Sequence, residues 1–190
     1  AAKGARSLSQ ARIWAGSSLE TEKSFMPTSW LIDSNVLVYA FFHRTEEAGR
    51  EDLEKSLRVD SRQVMTLAAQ NAFGGAVAQQ NLLEFLAIVT SPKRVASPVD
   101  LREALKACQA YLSFSTLVTP KPSTYLTFEA LTRERRAARE RLFDLYLAAT
   151  ALDNDVSHIC TWNTKHFRGL TALTAATPSE VIRSLVEGQR

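Results

Sequence analysis

The sequence predicts an α/β fold organised around a mainly parallel sheet. Short apolar stretches typical of buried strands alternate along the chain with longer stretches whose apolar residues recur at helical spacing. Such alternation within one unit is typical of parallel strands joined by helices. The chain has 190 residues, of which 45% are hydrophobic, and this length is enough for a single domain with a sizeable core.

The first predicted elements are a strand and a helix. The strand is "WLID", and Ser34 or Asn35 is positioned to cap a helix that runs through "VLVYAFF". Helical spacing follows at 48–57, with charged residues on the outer face, and a further helical turn or two is predicted at 63–70.

The middle of the chain continues the alternation. The glycine pair in "NAFGGAVAQQ" predicts a turn followed by a short strand around Val77. "NLLEFLAIVTSPKR" predicts a mostly apolar helix that ends before Pro92. Ser97 and Pro98 supply the N-cap and the first helical position of the next predicted helix, "VDLREALKACQAYLS".

The last third contains two further predicted strands, "STLVTP" and "SHICTW". Between them, Ser123 can cap a helix through "TYLTFEAL", and the charged segment "TRERRAARER" leads into the very apolar helix "LFDLYLAATAL". After the second strand, "NTKHF" predicts a turn and "TPSEVIRSLV" predicts a terminal helix.

Composition narrows the class of protein. Residues 1–25 are rich in Ala, Ser, Arg and Gly, and we expect a loosely ordered leader or extension before a single domain at 26–190. The formal charge of +3 allows a polyanionic partner without arguing for one. Cys108 and Cys160 match no metal-binding or redox spacing, so we expect reduced core residues of a cytoplasmic protein. Neither a membrane span nor a nucleotide cofactor is predicted, because no long apolar run and no phosphate-binding glycine motif occurs.

Three acidic residues occur in the most apolar stretches of the chain. Asp33 lies in "WLIDSNVLV", Glu84 in "NLLEFLAIV" and Asp144 in "RLFDLYLAATAL". Each one, taken alone, could lie on the polar edge of its element or pair with a distant arginine. Asp33 ends a predicted strand, however, and Asp144 comes near the start of a helix. Both are therefore expected at the carboxyl edge of the sheet, where open α/β sheets bind their ligands.

Carboxylates that meet at this edge predict a metal site. At a separation of about 4 Å and an effective dielectric constant near 20, each pair of like charges costs on the order of 4 kcal/mol. A divalent cation removes this cost, and ligands that are all oxygen favour Mg²⁺ or Mn²⁺ over zinc. Such a site can activate water for attack on a phosphodiester. The histidines at 43, 158 and 166 show no spacing for a zinc site.

Four stretches together resemble the PIN-domain ribonucleases, and most closely their VapC-type toxin branch. They are "LIDSNVLVYAF", "NLLEFLAIVTS", "LFDLYLAATAL" and "ICTWNTKHF", in the order and spacing of that family. The resemblance covers roughly residues 26–186. It implies a three-layer α/β/α fold with a mainly parallel sheet of about five strands, and an acidic site for one or two Mg²⁺ or Mn²⁺ ions.

The resemblance also implies roles for individual residues. Asp33, Glu84 and Asp144 match the first three acids of the family and are expected to hold the metal and act in catalysis. Ser34 and Asn35 fall in the first motif, where the side chains of the family support the acidic cluster by hydrogen bonding.

The fourth motif departs from the family pattern. It reads Thr161-Trp162-Asn163, in which Thr161 is expected to support the site and Asn163 to offer a neutral oxygen or to orient a water molecule. Family members often carry a further acid where this chain has His166, so a second metal ion stays open. His166 itself is either a contact of the RNA phosphate or a surface turn residue.

Two arginines of the charged segment, Arg135 and Arg139, share one helical face. They either lead RNA phosphates toward Asp144 or belong to a solvated helix with ion pairs.

The leading hypothesis is a metal-dependent endoribonuclease that acts as a toxin, forms a homodimer and is restrained by an antitoxin protein. The alternative is a degenerate PIN domain that binds RNA or a protein partner without cleavage, which the missing fourth acid favours. A phosphatase of another α/β family shares the acid at the end of the first strand, but its D-x-D pattern is replaced here by "DSN".

Overall fold

The computed structural model describes residues 30–42, 51–135 and 141–187. Within these ranges the chain forms a five-stranded sheet in the order β3-β2-β1-β4-β5, and every neighbouring pair of strands is parallel. The strands are β1 (Trp30–Ile32), β2 (Gly75–Ala78), β3 (Thr116–Val118), β4 (His158–Cys160) and β5 (Thr174–Ala176). The predicted fold class, with its parallel sheet of about five strands, is confirmed.

Helices precede or follow each strand in the described part of the chain. They are α1 (Ser34–Phe41), α2 (Glu51–Ala69), α3 (Gln79–Val89), α4 (Leu101–Phe114), α5 (Thr124–Arg135), α6 (Leu142–Asp153) and α7 (Pro178–Glu187). A single 3₁₀ turn, Thr164–His166, follows β4. None of these helices combines the length and the apolar composition that spanning a membrane requires.

Two hydrophobic cores cover the two faces of the sheet. Ile32, Val77 and Cys160 belong to the core shared with α1, α2, α3, α4 and α7. Leu31 and Ile159 belong to the core shared with α5 and α6. Successive residues of a strand point to opposite faces, so burial on both sides explains why these strands are apolar throughout. The layers are therefore α/β/α, as the resemblance implies.

The register of the central strands determines which residues meet at the carboxyl edge. Ile32 at the end of β1 pairs with Cys160 at the end of β4, and Leu31 pairs with Ala76 of β2. The residues that follow these strands therefore emerge beside one another at one edge of the sheet. All three predicted acids come from elements that begin or end there.

The cap of α1 differs from the predicted one. Asp33 has extended backbone angles, and its side chain accepts a hydrogen bond from the backbone N–H of Ser34, whereas Ser34 is already helical. The prediction that Ser34 or Asn35 caps the helix was therefore wrong. The acid itself fills the capping position.

The helix α2 is continuous where two separate segments were predicted. Residues 58–62, between the two predicted segments, belong to the helix, and Ser61 is fully buried and accepts a hydrogen bond from Nε1 of Trp162 at 2.9 Å. Asp60 accepts a hydrogen bond from Ser179 at 2.6 Å. Partners that are distant in sequence thus stabilise polar side chains within this helix.

The helix α4 begins later than predicted. Its N-cap is Asp100, which accepts a hydrogen bond from the backbone N–H of Arg102 at 2.8 Å. The residues around Ser97 and Pro98 instead form the connection from α3, because the N–H of Val99 donates to the carbonyl of Val89 at 3.0 Å. The predicted start at Ser97 was wrong.

The fifth strand has no counterpart among the strands predicted from the residues. Its sequence is "TAA", and none of its three residues is buried, so it lacks the apolar signature of a buried strand. Pairing of Thr174 with His158 places it at the edge of the sheet.

Candidate active site

Asp33 lies at the centre of the carboxyl edge, directly after β1, and only 7% of it is exposed. Its Oδ1 accepts hydrogen bonds from the backbone N–H of Ser34 at 2.7 Å and from the amide of Asn81 at 3.3 Å. Its Oδ2 accepts from the amide of Asn35 at 2.7 Å and from the hydroxyl of Thr161 at 2.6 Å. Donors from α1, α3 and the end of β4 therefore hold this carboxylate in one orientation.

Asn35 ties the first helix to the end of β4. Its Nδ2 donates to Oγ1 of Thr161 at 3.0 Å, and its Oδ1 accepts from the backbone N–H of Trp162 at 3.1 Å. The Thr161 hydroxyl, which is fully buried, also accepts from the N–H of Asn163 at 3.0 Å. The pairing of β1 with β4 brings these groups together across more than a hundred residues of sequence.

Glu84 lies in the second turn of α3 and shares a donor with Asp33. Its Oε2 accepts a hydrogen bond from the Ser34 hydroxyl at 2.7 Å, and its Oε1 accepts from Nε2 of Gln80 at 2.8 Å. The same hydroxyl lies 3.3 Å from Oδ1 of Asp33. A hydroxyl has a single hydrogen to donate, so Ser34 links the two carboxylates and donates to one of them at a time.

Asp144 lies in the first turn of α6 and contacts the 3₁₀ turn after β4. Its Oδ2 is 3.1 Å from Nδ1 of His166, and 29% of the Asp144 side chain and 30% of the His166 side chain are exposed. This acid therefore has a more open environment than Asp33.

The three carboxylates act on one another electrostatically. Burial raises the pKa of Asp33 to about 6; the hydrogen bonds from Thr161 and Ser34 oppose this rise, and the negative charges of Glu84 and Asp144 add to it. Burial also raises the pKa of Asp144, which the charge of His166 lowers and the charge of Glu84 raises. Each acid thus lies within electrostatic reach of the other two.

The oxygen atoms of these acids are the donors that a hard divalent cation prefers. Among the residues that the structure describes, no three His, Cys, Asp or Glu side chains are close enough to hold a metal ion together as they stand. Each carboxylate is instead directed toward its own partner: Asp33 toward its amide and hydroxyl donors, Glu84 toward Gln80 and Ser34, and Asp144 toward His166. Glu84 and Asp144 are only partly buried, so their side chains are less enclosed than that of Asp33. The donor set therefore fits a cation in kind and in charge.

The remaining predicted residues have different positions. Asn163 is exposed at the start of the 3₁₀ turn, and His166 contacts Asp144 rather than standing apart as a surface residue. Arg139 lies outside the described residues, and α5 is described at Arg135 only through its backbone. The prediction of an RNA contact by these arginines stays a prediction.

Two polar residues of the site were not predicted from the sequence. Asn81 is fully buried and donates to Asp33, and Gln80 donates to Glu84 and, at 3.2 Å, to the carbonyl of Phe143. Both stand at the start of α3, in "QQN" directly after the buried strand β2. The argument that singled out the acids, a polar side chain at the carboxyl end of an apolar strand, applies to them as well.

An apolar groove of about 440 Å³ opens beside Glu84. Gln80 and the apolar side chains of Leu83, Phe143 and Tyr146 are among its lining residues. Leu83 is 61% exposed and Phe143 is 75% exposed. Apolar side chains that are so exposed next to a polar site mark a surface on which a partner can bind.

Solved structures share this fold. One is VapBC2 from Rickettsia felis, bound to a DNA fragment from the VapBC2 promoter. It matches with a TM-score of 0.53 and 17% sequence identity over 78% of this chain and 97% of that chain. A toxin–antitoxin complex from Klebsiella pneumoniae matches with a TM-score of 0.52 and 20% identity over 79% of this chain and 98% of that chain.

A third similar structure is Mycobacterium tuberculosis VapC20, described as a sarcin–ricin loop cleaving toxin. It matches with a TM-score of 0.50 and 12% identity over 77% of this chain and 99% of that chain. No family model and no curated protein matches the sequence. The resemblance seen in the four sequence stretches is thus confirmed at the level of the fold.

Proposed function

We propose that this protein is a Mg²⁺- or Mn²⁺-dependent endoribonuclease and the toxin component of a toxin–antitoxin pair. The observation that carries the proposal is that Asp33, Glu84 and Asp144 lie within electrostatic reach of one another at the carboxyl edge of a parallel sheet. The fold shared with VapBC and VapC structures, one of which cleaves the sarcin–ricin loop, supports RNA as the class of substrate.

The three acids are the residues that would hold the cation. The chemistry that a bound Mg²⁺ or Mn²⁺ supplies is positive charge against the phosphodiester and a lowered pKa for a water nucleophile. Thr161 and Asn35 hold Asp33 in one orientation before any RNA binds. Asn163, exposed beside them, can accept a hydrogen bond from the attacking water.

RNA must approach a site that is itself negatively charged. Arg141 is exposed at the start of α6, and its positive charge lowers the pKa of Asp144. It therefore lies where it can attract a phosphate next to the acids. Arg135 and Arg139, which precede it in the sequence, are proposed to extend this positive approach.

The apolar groove beside Glu84 supports a protein partner. We propose that an antitoxin segment covers Phe143 and Leu83 and thereby closes the adjacent acidic site, since the similar structures include toxin–antitoxin complexes. A homodimer belongs to the same proposal, and the exposed apolar side chains of α5, Tyr125 and Leu126, are consistent with a contact between two copies.

The test is cleavage of RNA by the purified chain. Total RNA is incubated with the protein in Mg²⁺ or Mn²⁺, in EDTA, and with the double variant Asp33→Asn, Asp144→Asn. Asp155→Asn serves as the matched control, because Asp155 is exposed and lies beyond the end of α6. We expect discrete RNA fragments from the wild type and from the control, and intact RNA in EDTA and with the double variant.

The second candidate function is binding of RNA or of a protein without cleavage. The observation that favours it is the separate hydrogen-bonding of the three acids, together with the uncharged amide of Asn163 at the end of β4. Intact RNA in every reaction, with tight RNA binding that survives EDTA, would support this second function and contradict the first.

A further inference from the structure

The 3₁₀ turn after β4 places the imidazole of His166 beside Asp144. The residues that follow β1 and β2 instead contribute the carboxylate of Asp33 and the amide of Asn81. Nδ1 of His166 is 3.1 Å from Oδ2 of Asp144. Because the partner is a carboxylate, Nδ1 is the nitrogen that carries the hydrogen.

The position of this imidazole is fixed by the turn that carries it. The backbone N–H of His166 donates to the carbonyl of Asn163 at 2.9 Å, and the next residue, Phe167, is 2% exposed and packs in the core beneath α6. The turn is therefore closed by its own backbone hydrogen bond and anchored in the core by the residue directly after His166.

The negative charge of the three acids limits how many divalent cations the site can bind. Two divalent ions in a shared site lie about 3.5–4 Å apart and repel each other four times as strongly as two unit charges at that distance. Three carboxylates carry less negative charge than two such ions carry positive charge. One oxygen of Asp144 already faces His166, and the positive charge of Arg141 acts on the same acid.

We propose that the site takes a single divalent cation and that His166 determines this number. His166 is a positioning residue that holds Asp144 through Nδ1. Because residue 166 is a histidine and residue 163 an asparagine, the turn after β4 adds no negative charge to the site. The inference rests on the proposed function, because it requires that the three acids bind a cation.

The experiment counts Mn²⁺ ions bound to the full chain after removal of metal by chelation. Free Mn²⁺ is measured by electron paramagnetic resonance during titration, with no RNA present. We expect one bound Mn²⁺ per chain in the wild type and two in His166→Asp. Asn163→Asp places a carboxylate at the start of the same turn and serves as a second variant if the first does not fold. Thr171→Asp adds the same charge to an exposed position past the 3₁₀ turn and is expected to bind one ion.

The outcomes separate the inference from the proposed function. Two ions in the wild type, or one ion in both folded variants, would overturn the inference and leave the nuclease proposal standing. No ion in the wild type would overturn both.

The positioning role has its own measurement. His166→Ala removes the hydrogen bond to Asp144 and is expected to weaken Mn²⁺ binding by about tenfold, the lower end of the effect of residues that orient metal ligands. His166→Gln can donate a hydrogen bond from its amide and is expected to restore most of the affinity. Equal Mn²⁺ affinities for the wild type and His166→Ala would overturn this role.

Discussion

The two ends of the candidate site differ in how firmly their acids are held. Asp33 is 7% exposed and accepts hydrogen bonds from α1, α3 and the end of β4. Asp144 has a side chain that is 29% exposed and faces His166. One half of the site is therefore built into the sheet, whereas the other half lies on a helix start that is more open to solvent. Such a division suits a site that must keep one ligand fixed while it admits a large substrate.

The pH dependence of stability gives the largest expected contrast between the two acids. The folded pKa of Asp33 is raised from 3.8 to about 6, so the folded state binds this proton more tightly than the unfolded state. The stability that the group contributes is present below pH 4 and is lost as the pH rises through 6, by about 3 kcal/mol in total. The free energy of unfolding of the metal-free wild type, minus that of Asp33→Asn, is therefore expected to fall by most of this amount between pH 4 and pH 8.

The measurement is urea unfolding of both proteins at a series of pH values. Asp144→Asn is the matched comparison, and its slope is expected to be smaller because solvent screens a half-exposed carboxylate. A constant difference between the wild type and Asp33→Asn would contradict the assignment of a raised pKa to Asp33.

Lengthening Asp33 or Asp144 by one methylene tests, through the cleavage rate, whether Asp33 is held more rigidly than Asp144. Asp33→Glu must fit a longer side chain into a closed set of donors, and a displacement of about 1 Å at a reacting site can lower the rate on the order of a hundredfold. Asp144→Glu is expected to cost less than about tenfold, because its half-exposed carboxylate can readjust. The measurement is the cleavage rate of a defined RNA at equal metal occupancy. Equal losses of rate in the two variants would mean that Asp33 and Asp144 are held equally rigidly.

The hydroxyl of Thr161 is expected to stabilise the buried end through Asp33. Thr161→Val keeps the shape but removes a donor to a buried carboxylate, which is expected to cost about 1–3 kcal/mol of unfolding free energy at pH 7. Thr150→Val is the matched control, since Thr150 is also buried but its hydroxyl donates only to the helix carbonyl of Tyr146. Chemical denaturation of the two variants should separate them, and similar losses would indicate that the hydroxyl of Thr161 has no special role.

Gln80, beside Glu84, provides the smallest expected effect on stability. Gln80→Ala removes the amide that donates to Glu84, so cleavage is expected to fall about tenfold through misorientation of that acid. Stability should change by less than about 0.5 kcal/mol, because the residue is only partly buried. A variant with full activity would show that Glu84 needs no support from Gln80.

Sequence reasoning was reliable where a property is local. The strand "WLI" was predicted because burial on both faces of a parallel sheet leaves a continuous apolar signature, and the helix "LFDLYLAATAL" was predicted from its own apolar composition. Reasoning failed where a polar side chain has a remote partner. Ser61 falls between the two predicted segments of α2, yet it is held within one continuous helix where Trp162 donates to it, and Asn81, which donates to Asp33, was not predicted as a site residue.

The alternation of strands and helices and the candidate acids Asp33, Glu84 and Asp144 could be read from the amino-acid sequence, because an acid in an apolar stretch is visible without a structure. The hydrogen-bond partners of these acids could be identified only in the folded chain. Thr161 reaches Asp33 across 128 residues, and Ser34 reaches Glu84 across 50. Such contacts depend on the strand order that places β1 between β2 and β4. The physical reason is that hydrogen-bond geometry extends over a few ångströms in space, whatever the distance along the chain.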